Sequence, residues 1–441
     1  MPMRRRHLLQ LLAGGPAAAV LAATGCRPRG PAAEGARVVE FWTLDLAPRF
    51  NAYIRGVIGA WERQQPGWRV RWTDVPWASV ERKLLAAVFA RTAPDLVNLN
   101  PPFAANLASK GGLLDLSGVL PADAADGYLP AIWQSGRQDG QQFAIPWYLT
   151  ARITMANRRL LEQAGVAAPP GRWDGLPAFA ERLRRRTGRY ALFMTVVPDD
   201  SAELLETLVQ MGVRLLDDER RAAFDSPAGR RAFAFWTDLY RRGLLPREVV
   251  SQGYRRAIEL YQSGDLALVA TGPDFLRNLQ TNAPGVATVT APFAPITGAD
   301  GTANVAVMNL VVPKQSAVAS QAADFALFLT NADNQRRFAE EARVLPSAAI
   351  ALARLQAALR ADDQGPAGAE RLVRRARLLS AQTLERSRVL VPAMPGVKRL
   401  QAIVYTQLQR AMLGQAESDA ALAAAATEWN RYAAARWPQA R

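Results

Sequence analysis

Few residues of this chain could carry covalent chemistry. Cys26 is the only cysteine and His7 the only histidine among 441 residues. Both lie in an opening segment where Arg4-Arg5-Arg6 precedes an apolar run from Leu8 to Ala23, followed by the small residues Thr24 and Gly25. A basic start, a short apolar stretch and small residues before a cut form a secretory signal. Residues 1–25 are therefore expected to leave, with Cys26 opening the mature chain. The remainder holds no histidine, so Ser-His-Asp and Cys-His nucleophilic systems lack a base. Zinc sites built from His and Cys lack ligands, and one cysteine cannot form an intrachain disulfide. Carboxylate or lysine chemistry is left, and the lysines are Lys83, Lys110, Lys314 and Lys398. No carboxylate pair stands out as acid and base, and the sequence predicts no enzyme activity, cofactor or metal. Without histidine, binding is predicted to vary little with pH between about 5 and 8.

Leu21-Ala-Ala-Thr-Gly25-Cys26 resembles a bacterial lipobox, in which a diacylglyceryl thioether replaces the thiol, so Cys26 is the expected lipid-attachment residue. Arg5-Arg6-His7-Leu8-Leu9 loosely resembles a twin-arginine export signal. Residues 26–36, rich in Pro, Gly and Ala, read as a flexible tether. The apolar run is too short and too rich in Ala and Gly to span about 30 Å of hydrocarbon. The reading is an extracytoplasmic protein, in the periplasm or at the cell surface, held to the membrane by lipid. The formal net charge is +15, lowered by three when Arg4, Arg5 and Arg6 leave. The arginines are scattered over helices beside acids, as in Ala180-Glu-Arg-Leu-Arg-Arg-Arg186, with no phosphate loop and no basic-aromatic repeat. They read as solvated faces, and no nucleic-acid partner is expected.

The elements that must position any site begin with Arg37–Thr43, whose Val-Val and Phe-Trp content favours a strand. A helical pattern over Phe50–Gln65 places Tyr53, Val57, Ile58 and Trp61 on one face. Strand Trp68–Val75, helix Val80–Ala90, strand Pro94–Asn100 and helix Ala104–Lys110 follow. This alternation implies an α/β layer with a parallel sheet, in which ligands sit beyond the carboxyl ends of the strands. That rule selects Trp42 and Thr43, then Asn98, Asn100 and Phe103. Thr195 lies near the end of a strand read over Tyr190–Val196. Gly272-Pro273-Asp274 turns the strand at Leu266 into a helix. Asn309 stands in an otherwise apolar strand, Asn304–Val312, where a buried amide needs partners. Flat aromatics and short polar groups of this kind suit the apolar faces and hydroxyl edges of sugars.

Several stretches, in common order over about residues 37–430, resemble the extracellular solute-binding proteins of ABC importers, the carbohydrate-type family 1. They are Pro94-Asp-Leu-Val, Gly111-Gly-Leu-Leu-Asp-Leu-Ser117, Phe143-Ala-Ile-Pro-Trp-Tyr148 through Asn157, Ala164-Gly165 with Trp173-Asp174, Tyr261-Gln-Ser-Gly-Asp-Leu-Ala-Leu268 with Gly272-Pro273, and Ala322 to Pro346. The resemblance implies a two-lobed α/β periplasmic-binding-protein-like fold, each lobe a mainly parallel sheet flanked by helices, joined by hinge crossings. Residues 37–149 and 293–329 would form lobe one, and 150–292 and 330–441 lobe two. It implies that Trp147 and Tyr148, at the first crossing, line the cleft floor. Arg152 beside them reads as a hinge salt bridge in preference to an anion ligand, and Trp173 as remote from the cleft. The chain departs from the family in lacking a glycine pair near Val305–Asn309, in having Asp274 where some relatives stack an aromatic, and in having no late tryptophan near residues 392–405. Implied partners are a small-molecule solute, a sugar or sugar derivative, and the transmembrane subunits of an ABC permease, with the receptor itself a monomer. Two other functions compete: a non-transporting sensor or scaffold on the same fold, and an exported carboxylate-dependent glycosidase.

Overall fold

The computed structural model describes residues 37–198, 200–362, 368–391 and 393–437. Cys26, His7, the signal and the tether lie outside the described residues. The strands in chain order are β1 (Arg37–Leu44), β2 (Trp68–Val75), β3 (Leu96–Leu99), β4 (Arg137–Gln138), β5 (Gln141–Gln142), β6 (Ile145–Ala151), β7 (Ile153–Asn157), β8 (Leu268–Thr271), β9 (Thr290–Phe293), β10 (Ala303–Val311), β11 (Leu345–Pro346) and β12 (Ser387–Arg388). Early helices α1 (Asn51–Gln64), α2 (Trp77–Phe89) and α3 (Pro101–Ala108) alternate with β1–β3 as the sequence pattern requires.

Two sheets result. The first has the order β11-β6-β10-β3-β1-β2, with β12 paired to β10. β1 runs parallel to β2 and β3, while β10 lies antiparallel to β3 and β6. The second has the order β8-β7-β9, and both of its ladders are antiparallel. The expected parallel arrangement thus holds for β1–β3 and for an isolated bridge between Tyr190 and Leu266. Between β7 and β8 the chain makes a long excursion through several helices. No single βαβ crossover then fixes strand direction.

The first core packs α1 and later helices on the sheet. Tyr53, Ile54, Val57, Ile58 and Trp61 are the buried stripe of α1. Phe41 meets Phe325 edge-on at 5.4 Å, and Trp147 stacks on Phe338 at 5.1 Å. The second core gathers Met155, Trp236, Tyr261, Tyr405 and Trp429.

Arg152 separates β6 in the first sheet from β7 in the second, so the chain first passes between the sheets there. A second crossing runs from β9 to β10. The third differs from the expected break at residue 330. Phe338 packs in the first core, and Ala339, Leu345, Leu352, Leu355 and Leu359 cluster with Leu149, Val305 and Val307 of the first sheet. The Ala369–Thr383 helix spans the boundary, with Val373 and Ala376 in the second core and Ala381 in the first-sheet cluster. From Val397 the chain joins the second core through Leu400, Ile403 and Val404. An apolar helix face belongs wherever its partners lie, and a sequence pattern shows that a face exists without showing which sheet it covers.

Candidate ligand-binding cleft

The carboxyl ends of β1 and β2 are tied together by Asp74. Its Oδ1 accepts hydrogen bonds from the Thr43 hydroxyl at 2.5 Å and the Leu46 N–H at 3.0 Å, and its Oδ2 accepts the Ala47 N–H at 3.0 Å. Trp72 Nε1 donates to Thr43 Oγ1 at 2.7 Å. Thr43 is fully buried, and its hydroxyl is spent on these two partners. Trp42 is half-buried and packs on the cluster of Val75, Val80, Leu84 and Phe103. Asn100 caps α3, its Oδ1 accepting the Phe103 N–H at 2.9 Å. Phe103 itself is core. These residue types stand at the strand ends because loops and helix starts need them.

Asn98 and Asn309 are brought together. Asn98 Nδ2 donates to the Asn309 backbone carbonyl at 3.1 Å, beside a register shift between Met308 and Asn309. The side-chain carbonyl oxygens of both amides are buried without a hydrogen-bond partner.

Trp147 does not face a cleft. It is fully buried on Phe338 and Phe41. Successive strand residues point to opposite faces, and in β6 Trp147 and Leu149 go inward while Thr150 is exposed. Tyr148 between them is half-buried, its ring edge-on to Phe338 at 5.3 Å. Burial, then the charge of Asp74, pushes its phenol pKa up.

In the second lobe, Thr195 is buried. Its hydroxyl donates to the Gln252 carbonyl at 2.9 Å and accepts the Val197 N–H at 3.1 Å. Gly272 and Pro273 form a half-buried turn. Asp274 makes no capping bond to its helix and instead accepts from Arg343 Nη1 at 3.3 Å, linking the second lobe to the end of a first-lobe helix.

Beneath the interlobe space lies a cavity of about 160 Å³ between the two sheets. Thr150 and Asn304 reach it from the first sheet, Thr154 from the second, and Arg152 from the crossing. Arg152 Nη1 lies 3.3 Å from Glu206 Oε2 and 3.8 Å from Glu203 Oε2. The guanidinium side chain is 41% accessible, whereas the carboxylates are 12% and 13% accessible. Burial pushes the Glu203 pKa up to about 7 against the opposing pull of Arg152. It raises Glu206 for the same reason. Burial also works against the charge of Arg152, but the two carboxylates outweigh it and hold the guanidinium ionised. Trp173 lines the same cavity, its Nε1 donating to Gln210 Oε1 at 2.7 Å, and Gln210 Nε2 donates to the Thr302 carbonyl at 2.8 Å. The arrangement offers donors from Arg152, acceptors from two carboxylates, and an indole.

None of the twelve strand-end and crossing residues selected from the sequence lines this cavity. Arg152 takes the hinge salt bridge read for it. Trp173, read as remote, is at the wall. The signal for the acids was present in Glu203-Leu-Leu-Glu-Thr-Leu-Val209: two acids three apart share a helix face, and in so apolar a segment they need a buried partner.

Residues 47–336 match the family of bacterial extracellular solute-binding proteins. This chain belongs to that family. The solute-binding protein is similar to the crystal structure of "a putative oligosaccharide periplasmic-binding protein" from Synechococcus sp. MITs9220. The two are 64% identical, with a TM-score of 0.84, over 91% of this chain and all of that one. The same Synechococcus protein has also been solved in complex with zinc. Among the described residues of this chain, no group of three or more His, Cys, Asp or Glu is placed to hold a metal ion. The cyclic α-maltosyl-1,6-maltose binding protein of Arthrobacter globiformis shares the fold, with a TM-score of 0.77 at 21% identity over 90% of this chain and 99% of that one. The mannitol-binding protein of Pseudomonas aeruginosa is 28% identical over 214 residues, 47% of this chain and 49% of that protein. These relatives are binding proteins. No described helix is long and apolar enough to cross a membrane.

Proposed function

We propose that this solute-binding protein is the extracytoplasmic receptor of an ABC importer, that it takes a carbohydrate or sugar derivative between its lobes, and that it delivers the solute to the permease. The observation that carries the reading is the cavity at the crossing, where both sheets contribute walls and Arg152, Glu203, Glu206 and Trp173 converge. Charged donors and acceptors fix hydroxyls, an indole offers an apolar face, and a hinge beneath lets the lobes close. The sugar-binding names of its relatives favour the same ligand class. The lobes in this reading are 37–151 and 303–362 with the first sheet, and 153–293 and 397–437 with the second, a division supported by how the two cores pack. Attachment to the membrane through a lipid on Cys26, removal of residues 1–25, and action as a monomer complete the proposal.

Three measurements test it. In a thermal-shift panel of sugars and polyols, at least one is expected to stabilise the protein, by about 2.7 kcal/mol at a hundredfold excess over Kd. Labelled oligosaccharide incubated with it is expected back intact, and cleavage would favour a glycosidase using Glu203 and Glu206. Cys26→Ser is expected to move the protein from the membrane to the soluble fraction, and sedimentation with membranes in high salt would contradict the lipid anchor.

A further inference from the structure

We infer that a groove of the second lobe, separate from the crossing cavity, binds a fatty-acid-like ligand: a carboxylate head on a single linear alkyl chain. The inference does not rest on the carbohydrate reading above. The groove has a volume of about 670 Å³, a size typical of small-molecule sites. Trp173 and Gln210 line it on one side and the crossing cavity on the other, so their 2.7 Å hydrogen bond is the partition between the two. Val209, Met211, Val213, Ala232 and Phe235 give it an apolar floor. Met211 and Phe235 are only half-buried, and covering such surface is favourable. Round the floor stand four arginines, Arg172, Arg214, Arg231 and Arg388, against two aspartates, Asp174 and Asp300. Arg172 lies 3.2 Å from Asp174, Arg214 2.6 Å from Asp218 and Arg388 4.0 Å from Asp300. Those pairs are exposed and weak, and Arg231 has no ion pair among the described residues. An excess of guanidinium over an apolar floor is complementary to a carboxylate carrying an apolar body.

The shape of the space selects a linear chain over a compact ring. Val209, Val213 and Arg214 also line a second apolar space of about 340 Å³, which continues to Leu215, Leu216, Val397 and Leu400. Arg231 borders only the first space, so a head held there leaves the second for the tail. The walls stand before a ligand arrives. Gly298, in the crossing from β9 to β10, lies so close to the Gln210 carbonyl that a Cβ would collide with it. Gln210 in turn donates to the Thr302 carbonyl at 2.8 Å. A groove fixed in this way spends less free energy on ordering when it binds.

Titration calorimetry on the full chain with octanoate, dodecanoate, acetate and octan-1-ol, the amphiphiles kept below micelle-forming concentrations, tests the inference. Octanoate is expected to bind roughly tenfold more tightly than acetate, which lacks the tail, and than octan-1-ol, which lacks the charge. Dodecanoate, whose longer chain reaches the second space, is expected to gain roughly a further tenfold. Arg231→Glu is expected to weaken dodecanoate roughly tenfold, and Phe235→Ser to weaken it several-fold through the floor. Arg255→Glu, at a 93% accessible side chain outside the groove, is expected to change nothing. Arg231 is exposed, and circular dichroism checks the fold of each variant. Failure of both fatty acids to bind, unchanged affinity in Arg231→Glu, or an equal loss in Arg255→Glu overturns the inference. So does octan-1-ol binding as tightly as octanoate, or dodecanoate gaining nothing over octanoate. Each of these results leaves the carbohydrate reading intact.

Discussion

The rim of the first sheet and the cavity at the crossing use similar residue types for opposite ends. At the rim, Thr43, Trp72 and Asp74 satisfy one another and the following loop, so no hydroxyl or indole N–H is left over. At the crossing, Arg152 lies 3.3 Å from Glu206 and 3.8 Å from Glu203, and its side chain is still 41% accessible. A polar group at a strand end is therefore weak evidence of a site. Charged groups from several elements that converge on a cavity, with part of their surface still open to it, are stronger evidence, because a ligand can take up the bonds that solvent holds there.

The contrast predicts which changes damage the fold and which damage binding. Trp147→Ala is expected to have the largest effect on stability, about 3–5 kcal/mol, as for other large-to-small aromatic changes in cores. Urea denaturation of that variant measures it. Arg152→Met comes next. Removing one partner of a fully buried pair costs about 3–5 kcal/mol. Here the guanidinium opens onto the cavity and solvent screens it, so about 2 kcal/mol is expected, accompanied by loss of binding. A variant that keeps full affinity would show that the cluster serves only the hinge.

A smaller effect concerns pH. Burial holds Glu203 in the folded protein at about 7, above its ordinary value of 4.5. The folded state then takes up the proton more readily than the unfolded chain. Stability from this group is complete below about 4.5 and is lost as pH rises through about 7. Unfolding titrations across pH 4–8 are expected to show this decline, and Glu203→Gln to flatten it. The absence of histidine beyond His7 predicts little pH dependence of binding in this window, whereas Glu203, raised to about 7 by burial at the cavity wall, predicts some.

The contrast also accounts for what could be read from the sequence. The alternation of β1–α1–β2–α2–β3–α3 was legible because apolar period and turn residues agree locally. The crossing at Arg152 was legible from the Phe143–Asn157 stretch. Trp147 was misplaced because the resemblance located the strand but not which of two adjacent aromatics faces inward. A one-residue change of register exchanges faces, and only Phe338, almost two hundred residues later, decides it. The Glu203–Glu206 pair went unread because its meaning depends on Arg152, which comes from another element. The helices over 332–362 were assigned to the second lobe but pack on the first sheet for the same reason: their apolar stripes are visible, but their partners are not.

The central claim is that solute is held at the crossing cavity, by the Trp173 wall and not by Trp147. Calorimetric titration of the best sugar from the thermal-shift panel into Trp173→Phe and Trp147→Phe tests it most directly, since both changes keep a ring in place. The account predicts several-fold weaker binding for Trp173→Phe and an affinity within about twofold of the unmodified protein for Trp147→Phe. The reverse order would contradict it.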